Sequence, residues 1–264
     1  MNLLKDLDML FVIDVGNTNT VLGIYEGDRL LKDWRIRTEP NTTEDEFCAL
    51  ATNLFTGGGF STRQIEKTVI SCVVPPMATI LDAFCRKYLS TPPIWISAQT
   101  VKSMPIRYDN PGEVGADRIV NAVAAFDKYR TGLIVIDFGT ATTFDVVSEK
   151  GEYLGGAISP GIMIASEALY RHASKLPRVE IFKPPRHVIG KNTGESIQSG
   201  VIFGYAGMVD GIVGRIRNEV AGDLKVVATG GLASLMQDVS ETIETVEPTL
   251  TLEGLRILGE KESA

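Results

Sequence analysis

Histidine is nearly absent from this chain: His172 and His187 are the only two in 264 residues. A metal centre built on imidazoles is therefore disfavoured. Cysteine is almost as scarce. Cys48, Cys72 and Cys85 form an odd set whose spacing matches no metal or redox motif. They read as small buried hydrophobes in a reducing, cytoplasmic compartment. No apolar run is long enough to span a bilayer. The opening MNLLKDLD lacks both the basic and the apolar regions of a signal peptide. It reads as an extension ahead of the first strand, with Met9 an alternative start. There is no basic block and the formal net charge is −7, so neither nucleic acid nor an anionic membrane surface is an expected partner. A G-x-x-x-x-G-K-[ST] segment is also missing, which excludes P-loop phosphate binding. Any anion must be held locally, by backbone amides, hydroxyls, a metal or a few placed Arg and Lys.

What is present is a globular composition, 44% hydrophobic and 22% charged, which predicts a substantial core. There is also an internal repeat at an offset of 123. VIDVGNTNTVLGIYE (12–26) aligns with VIDFGTATTFDVVSE (135–149), and Val, Ile, Asp, Gly, Thr20/Thr143 and Glu26/Glu149 coincide. Each copy reads as strand, Asp-x-Gly bend, strand, turn, strand. The parallel continues more weakly. KTVISCVVPP leads into the helical pattern MATILDAFCRKYL, and LKVVATGG leads into LASLMQDV. The second copy carries two extra segments of helical periodicity before that strand. Alternating strands and helices predict an α/β fold. With the boundary in the helix GADRIVNAVAAFDKYR, residues 9–122 form one domain. Residues 123–264 form a second, with a helical insertion, and the two are expected to face a central cleft.

The two bends carry more donors than a hairpin needs. Gly16 and Gly139 let a ligand approach the backbone. Asn17, Thr18, Asn19 and Thr20 in one bend, and Thr140, Thr142 and Thr143 in the other, supply amides and hydroxyls for an anion cradle. Asp14 and Asp137 suit Mg²⁺ or a monovalent cation, hard ions that prefer oxygen. Ornate hairpins with Asx turns are the plain alternative; finding two at equivalent places favours a polyphosphate gripped with its metal. ATGGLA (228–233) adds Gly-Gly between a strand end and a helix start, where a flat ring or sugar can lie against the backbone. This combination resembles the actin-like ATPase superfamily, with its two phosphate motifs and adenosine motif. The resemblance implies two duplicated ribonuclease-H-like domains.

Function must come from the acceptor side, because such a fold serves many chemistries. In RYDNPGEVGADRIVNAVAAF (107–126), a turn precedes a helix, which places Asp117 and Arg118 in its first turn. A dipole-complementing Asp is the plain reading there. In order, DVGNTNT, YDNPGEVGADR, DFGTATTFD, GGAISPG, IGKNTGESIQSG and ATGGLA resemble type III pantothenate kinase over nearly the whole chain. The resemblance implies phosphorylation of pantothenate by ATP, the first step towards coenzyme A. It implies that Asp117 is the catalytic base. Tyr108, Gly115, Ala116, Asp117, Arg118 and Thr193 would bind pantothenate, with Thr193 supplied by the other subunit of a homodimer with composite active sites. Asp14, Val15, Gly16, Asn17, Thr18, Asn19, Thr20, Val21 and Thr140 would bind ATP. Asp137 would hold K⁺ or NH₄⁺, and Mg²⁺ would lie near Asp14, directly or through water. Some relatives serve as accessory factors in transcriptional regulation, which is the non-enzymatic alternative. Another actin-like sugar or acid kinase is a third reading, and GADR in this context disfavours it.

Overall fold

The computed structural model describes residues 9–261; the MNLLKDLD extension lies outside them. β1 (Met9–Val15) turns through the first Asp-x-Gly bend into β2 (Asn19–Glu26), and a tight turn leads to β3 (Arg29–Arg37). Gly27 in that turn has a φ of +59°, a left-handed conformation that glycine adopts without penalty. α1 (Glu44–Gly57) follows. It starts on a capping box in which Thr43 Oγ1 accepts from Glu46 N and Glu46 Oε2 accepts from Thr43 N. β4 (Ile65–Cys72) runs parallel to β1, α2 (Pro75–Phe84) opens with proline at its first turn, and β5 (Ile94–Ile96) closes the sheet. The strand order is β3-β2-β1-β4-β5.

Strand alternation assigns each face of this sheet. Phe11, Ile13, Leu22, Ile24 and Ile70 point one way and pack with Phe47, Phe55, Met77, Leu81 and Phe84 of α1 and α2. Phe11 meets Phe55 edge-on at 5.0 Å between ring centroids. Val12, Gly23 and Val69 belong to the other face.

α3 (Ala116–Tyr129) leads into the second copy: β6 (Leu133–Phe138), β7 (Ala141–Val147) and β8 (Tyr153–Pro160). Then come α4 (Ile162–His172), the 27-residue α5 (Thr193–Glu219), β9 (Lys225–Thr229), the short α6 (Ala233–Gln237) and β10 (Thr245–Val246). The order β10-β9-β6-β7-β8 repeats that of the first sheet strand for strand, with two antiparallel and two parallel pairings in each. Ile134, Ile136, Phe144, Val226 and Ala228 on one face of the second sheet pack with Ile202, Ala206, Val209 and Val213 of α5. The two helical segments inserted in this copy therefore carry much of its core. Among the described residues, no helix is long and apolar enough to cross a membrane.

The final helix, α7 (Leu250–Lys261), returns to the first sheet. Gly259 lies against Val69 and Leu10, Leu252 fits against Gly23, and Gly254 sits so close to the Val120 carbonyl that any side chain there would collide with it. Thr251 Oγ1 donates to Asn121 Oδ1 at 2.7 Å. Two compact units result. One comprises residues 9–105, Asp109–Ala124 and 251–261; the other comprises Ile106–Tyr108 and Ala125–Leu250.

Candidate active site

The first bend is braced by Thr38, just past the end of β3, in a segment that carries no motif. Gly16 N donates to Asn19 O at 3.0 Å, and Thr38 Oγ1 donates to Gly16 O at 2.7 Å. Thr38 also shares a buried hydroxyl–hydroxyl bond with Thr20 at 3.0 Å, and its amide donates to Thr18 O at 3.1 Å. Asn17, Thr18 and Asn19 are left exposed at the tip, while Asp14 is half-buried at the end of β1. The result is a braced loop that turns the Thr20 hydroxyl inward and leaves residues 17–19 at its tip for an anion cradle.

The second bend is tighter. Gly139 N donates to Ala141 O at 3.1 Å, leaving Gly139 and Thr140 exposed. Gly161 N donates to Thr140 O at 3.1 Å, and a side chain at Gly161 would drive into the Thr140 carbonyl. The glycine of GGAISPG thus lets the start of α4 rest on this bend. Asp137 is half-buried at the end of β6, and Gly230 presses onto its carboxylate with a φ of +91°. A side chain at Gly230 would fill the space beside Asp137 Oδ1 and collide with the Phe138 backbone. Thr229 Oγ1, one residue earlier, donates to Glu247 O at 2.8 Å and fixes the strand end.

Asp117 lies in the first turn of α3, where its Oδ1 accepts from Arg118 N at 2.9 Å. That folded-back carboxylate explains Gly115. A Cβ on residue 115 would stand 2.5 Å from Asp117 Oδ1, so no other residue leaves the carboxylate in place. Burial pushes the Asp117 carboxyl above its ordinary proton affinity, partly offset by the Arg118 amide and guanidinium. Ala116 and Arg118 are buried, Arg118 to 7% exposure. The first unit holds residues 14–21 and 115–118; Tyr108, Asp137, Thr140 and Thr193 belong to the second. Tyr108 is half-buried against Gly155. Thr193 is exposed at the start of α5, just after Asn192, which caps that helix by accepting from Glu195 N at 2.9 Å.

A family model described as type III pantothenate kinase matches residues 10–215. The chain belongs to the type III pantothenate kinase family. It is 64% identical to the type III pantothenate kinase of Desulfatibacillum aliphaticivorans over 97% of this chain and 99% of that one. It is 61% identical to that of Desulforapulum autotrophicum over 96% and 97%. Among solved structures, it resembles a Baf family protein of Campylobacter jejuni described as a transcriptional activator, with a TM-score of 0.60, 18% identity and coverage of 96% and 100%. It also resembles a ROK family glucokinase of Streptomyces griseus solved with glucose and AMPPNP, with a TM-score of 0.52, 13% identity and coverage of 96% and 99%. At those identities the structural likenesses speak for the fold, a duplicated ribonuclease-H-like α/β architecture.

In this type III pantothenate kinase family member, the donor chemistry around Asp14 fits a divalent metal held jointly with a nucleotide. Among the described residues, no three His, Cys, Asp or Glu side chains cluster to hold an ion alone. Mg²⁺ characteristically takes one or two carboxylates plus substrate phosphates, and Asp14 at the mouth of an anion cradle suits that division. The small space that Gly230 leaves beside the Asp137 carboxylate fits a hard cation in the same way. Thr38 carried no sequence signal, and the motifs that hold Gly161 and Gly230 did not reveal what these glycines approach. Thr38 is a lone threonine in a charged stretch, and Gly161 and Gly230 matter through contacts with residues 21 and about 92 positions earlier.

Proposed function

We propose that the protein transfers the γ-phosphoryl group of ATP to the primary hydroxyl of pantothenate, giving ADP and 4′-phosphopantothenate. The observation that carries this reading is the Asp117 carboxylate: folded back by one hydrogen bond, raised in proton affinity, and beside the buried Arg118. Phosphoryl transfer passes through a loose transition state, so positioning and charge stabilisation supply most of the rate. Asp117 accepts the hydroxyl proton as that oxygen closes on the γ-phosphorus, and its raised proton affinity suits a base working near neutral pH. Arg118 provides a guanidinium matched to the pantothenate carboxylate. Gly115 and Ala116 give the acceptor a close approach to the backbone, and Tyr108 packs against it.

The segment Asp14–Val21 and Thr140 bind the ATP phosphates through amides and hydroxyls. Asp14 would hold Mg²⁺, which neutralises charge on the phosphates when bound. Asp137 would hold K⁺ or NH₄⁺. Thr193 completes the acceptor site of a second copy, so the working form is a cytoplasmic homodimer. Asp14, Asp117 and Asp137 are all present, which argues against a non-catalytic accessory role. The test is ADP release by purified protein with ATP and Mg²⁺, with and without pantothenate, in K⁺ or NH₄⁺ and then in Na⁺. Turnover that requires pantothenate and the cation is expected; a well-folded dimer with no pantothenate-dependent turnover refutes the reading.

A further inference from the structure

Between β5 and α3 the chain runs through residues 97–115 with little regular structure, yet Ile106–Tyr108 is tied to β8. Ile106 makes an isolated parallel bridge with Tyr153, and Arg107 N donates to Tyr153 O at 2.7 Å. The Arg107 guanidinium donates twice to Glu152 Oε1, from Nε at 3.0 Å and Nη2 at 2.7 Å. The rail beneath is firm. Tyr153 is fully buried, and its hydroxyl donates to Asp145 Oδ1 at 2.6 Å; Asp145, 0% exposed, also accepts from Thr143 Oγ1 at 3.2 Å. Past Tyr153 the β7–β8 register slips: Val147 pairs with Tyr153 but Val146 pairs with Gly155, leaving Leu154 as a bulge. The bulge ends at Gly155, whose φ is +118°, and a Cβ there would touch the Tyr108 ring at 3.4 Å. The bridge and the ion pair anchor the two residues before Tyr108, and Gly155 of the bulge meets its ring.

We propose that Arg107, Glu152 and Gly155 are positioning residues that hold Tyr108 ready for the acceptor and so set the affinity for pantothenate. The proposal rests on the reading above that Tyr108 touches pantothenate. A tyrosine in an irregular loop must be ordered when ligand arrives, and ordering one residue costs a factor of about 5–30 in affinity. A strap that orders it beforehand removes that cost from binding. The Arg107–Glu152 pair is well suited to showing this. Its side chains are 64% and 23% exposed, and exposed ion pairs contribute little to global stability. Breaking it therefore loosens the strap without unfolding the sheet.

The test is steady-state kinetics of the full chain with Arg107→Gln, Glu152→Gln, the exchange Arg107→Glu with Glu152→Arg, Gly155→Ala and Tyr108→Ala. Each single variant at 107 and 152 is expected to raise the pantothenate KM about 5-fold, the lower end of the factor for ordering one residue. The kcat, the ATP KM and the melting temperature stay close to wild type. The charge exchange is expected to recover most of the loss, and Gly155→Ala to shift the same KM upward. If Tyr108→Ala raises the pantothenate KM while the 107 and 152 variants leave it unchanged, positioning by the strap is wrong and the acceptor role of Tyr108 stands. If Tyr108→Ala also leaves it unchanged in an active pantothenate kinase, Tyr108 leaves the acceptor site and the proposal falls with it. A parallel rise in the ATP KM with a lowered melting temperature makes the strap merely structural and overturns the proposal as well.

Discussion

Replacing Asp117 by Asn changes one heavy atom and removes the base proposed above. The asparagine carbonyl can still accept from Arg118 N, the 2.9 Å bond that folds the side chain back, so the local geometry survives. What is lost is an oxygen able to take a proton; the amide presents hydrogens there instead. A positioned general base contributes about 10²–10⁴ in rate. Proton transfer is late in phosphoryl transfer, which places the expected loss in the lower half of that span: about 10²–10³ in kcat, or about 3–4 kcal/mol. The ATP KM should change less than about twofold, since uniform binding is untouched. The pH profile adds a second signature. Burial raises the Asp117 proton affinity, so the acid limb of wild-type kcat/KM should fall above the ordinary aspartate value of about 3.9. The Asn variant should lack that limb. Stability should move the other way. A carboxyl whose folded-state pKa is raised binds more protons folded than unfolded, so its contribution to stability falls as pH rises through that window. At neutral pH the Asn variant should melt no lower than wild type. Coupled ADP release and thermal melts across pH 4–9 would check all three, and a kcat loss smaller than about tenfold would refute the assignment of the base.

Gly115→Ala should lower kcat more than it lowers stability, because its Cβ would stand 2.5 Å from Asp117 Oδ1 and displace the carboxylate; unchanged kcat would contradict this. Glu247→Gln should destabilise by about 1–3 kcal/mol at neutral pH. Burial alone would raise the Glu247 carboxyl, but hydrogen bonds from Lys128 and Tyr129 outweigh it and hold the carboxyl low. The stabilisation is therefore present above the unfolded value of about 4.3 and lost as pH falls through the lower folded one, so denaturant melts of the two proteins should converge in acid. The Cys85 thiol is fully buried and pushed up to about 12. A thiol reagent at pH 8 should therefore modify Cys85 only after denaturation, and three fast thiols in native protein would show the core to be open.

The repeat was legible because an Asp-x-Gly bend punctuates two otherwise apolar strands. From that one alignment both β-meanders follow; the matching five-strand orders come from the structure. Asp117 and Arg118 were placed in the first turn of α3 by apolar spacing alone, and that is where the structure has them. The supporting contacts were not legible. Thr38 reaches the first bend across 22 residues, and Arg107 meets Glu152 across 45. A single bridge between distant segments leaves no periodicity to detect. The glycines at 115, 161 and 230 stand out in sequence only as members of motifs, yet each is required by an atom it approaches: the Asp117 carboxylate, the Thr140 carbonyl and the Asp137 carboxylate. Spacing reports which backbone must bend, and only coordinates report what it bends around.

The return of α7 to the first sheet has a consequence for synthesis. Leu252 and Gly259 lie against Gly23 and Val69 on one face of the first sheet, and Gly254 lies against Val120 of α3. They leave the ribosome about 190 residues after β4, which is about 10–40 s at ordinary elongation rates. Through that interval the first-made unit lacks its α7 contacts, while the second unit, contiguous from Ala125 to Leu250 apart from its three-residue strap, can complete its core on emergence. The unit that begins first is then the last to be completed, and until α7 emerges the apolar positions it covers are there for a chaperone to shield.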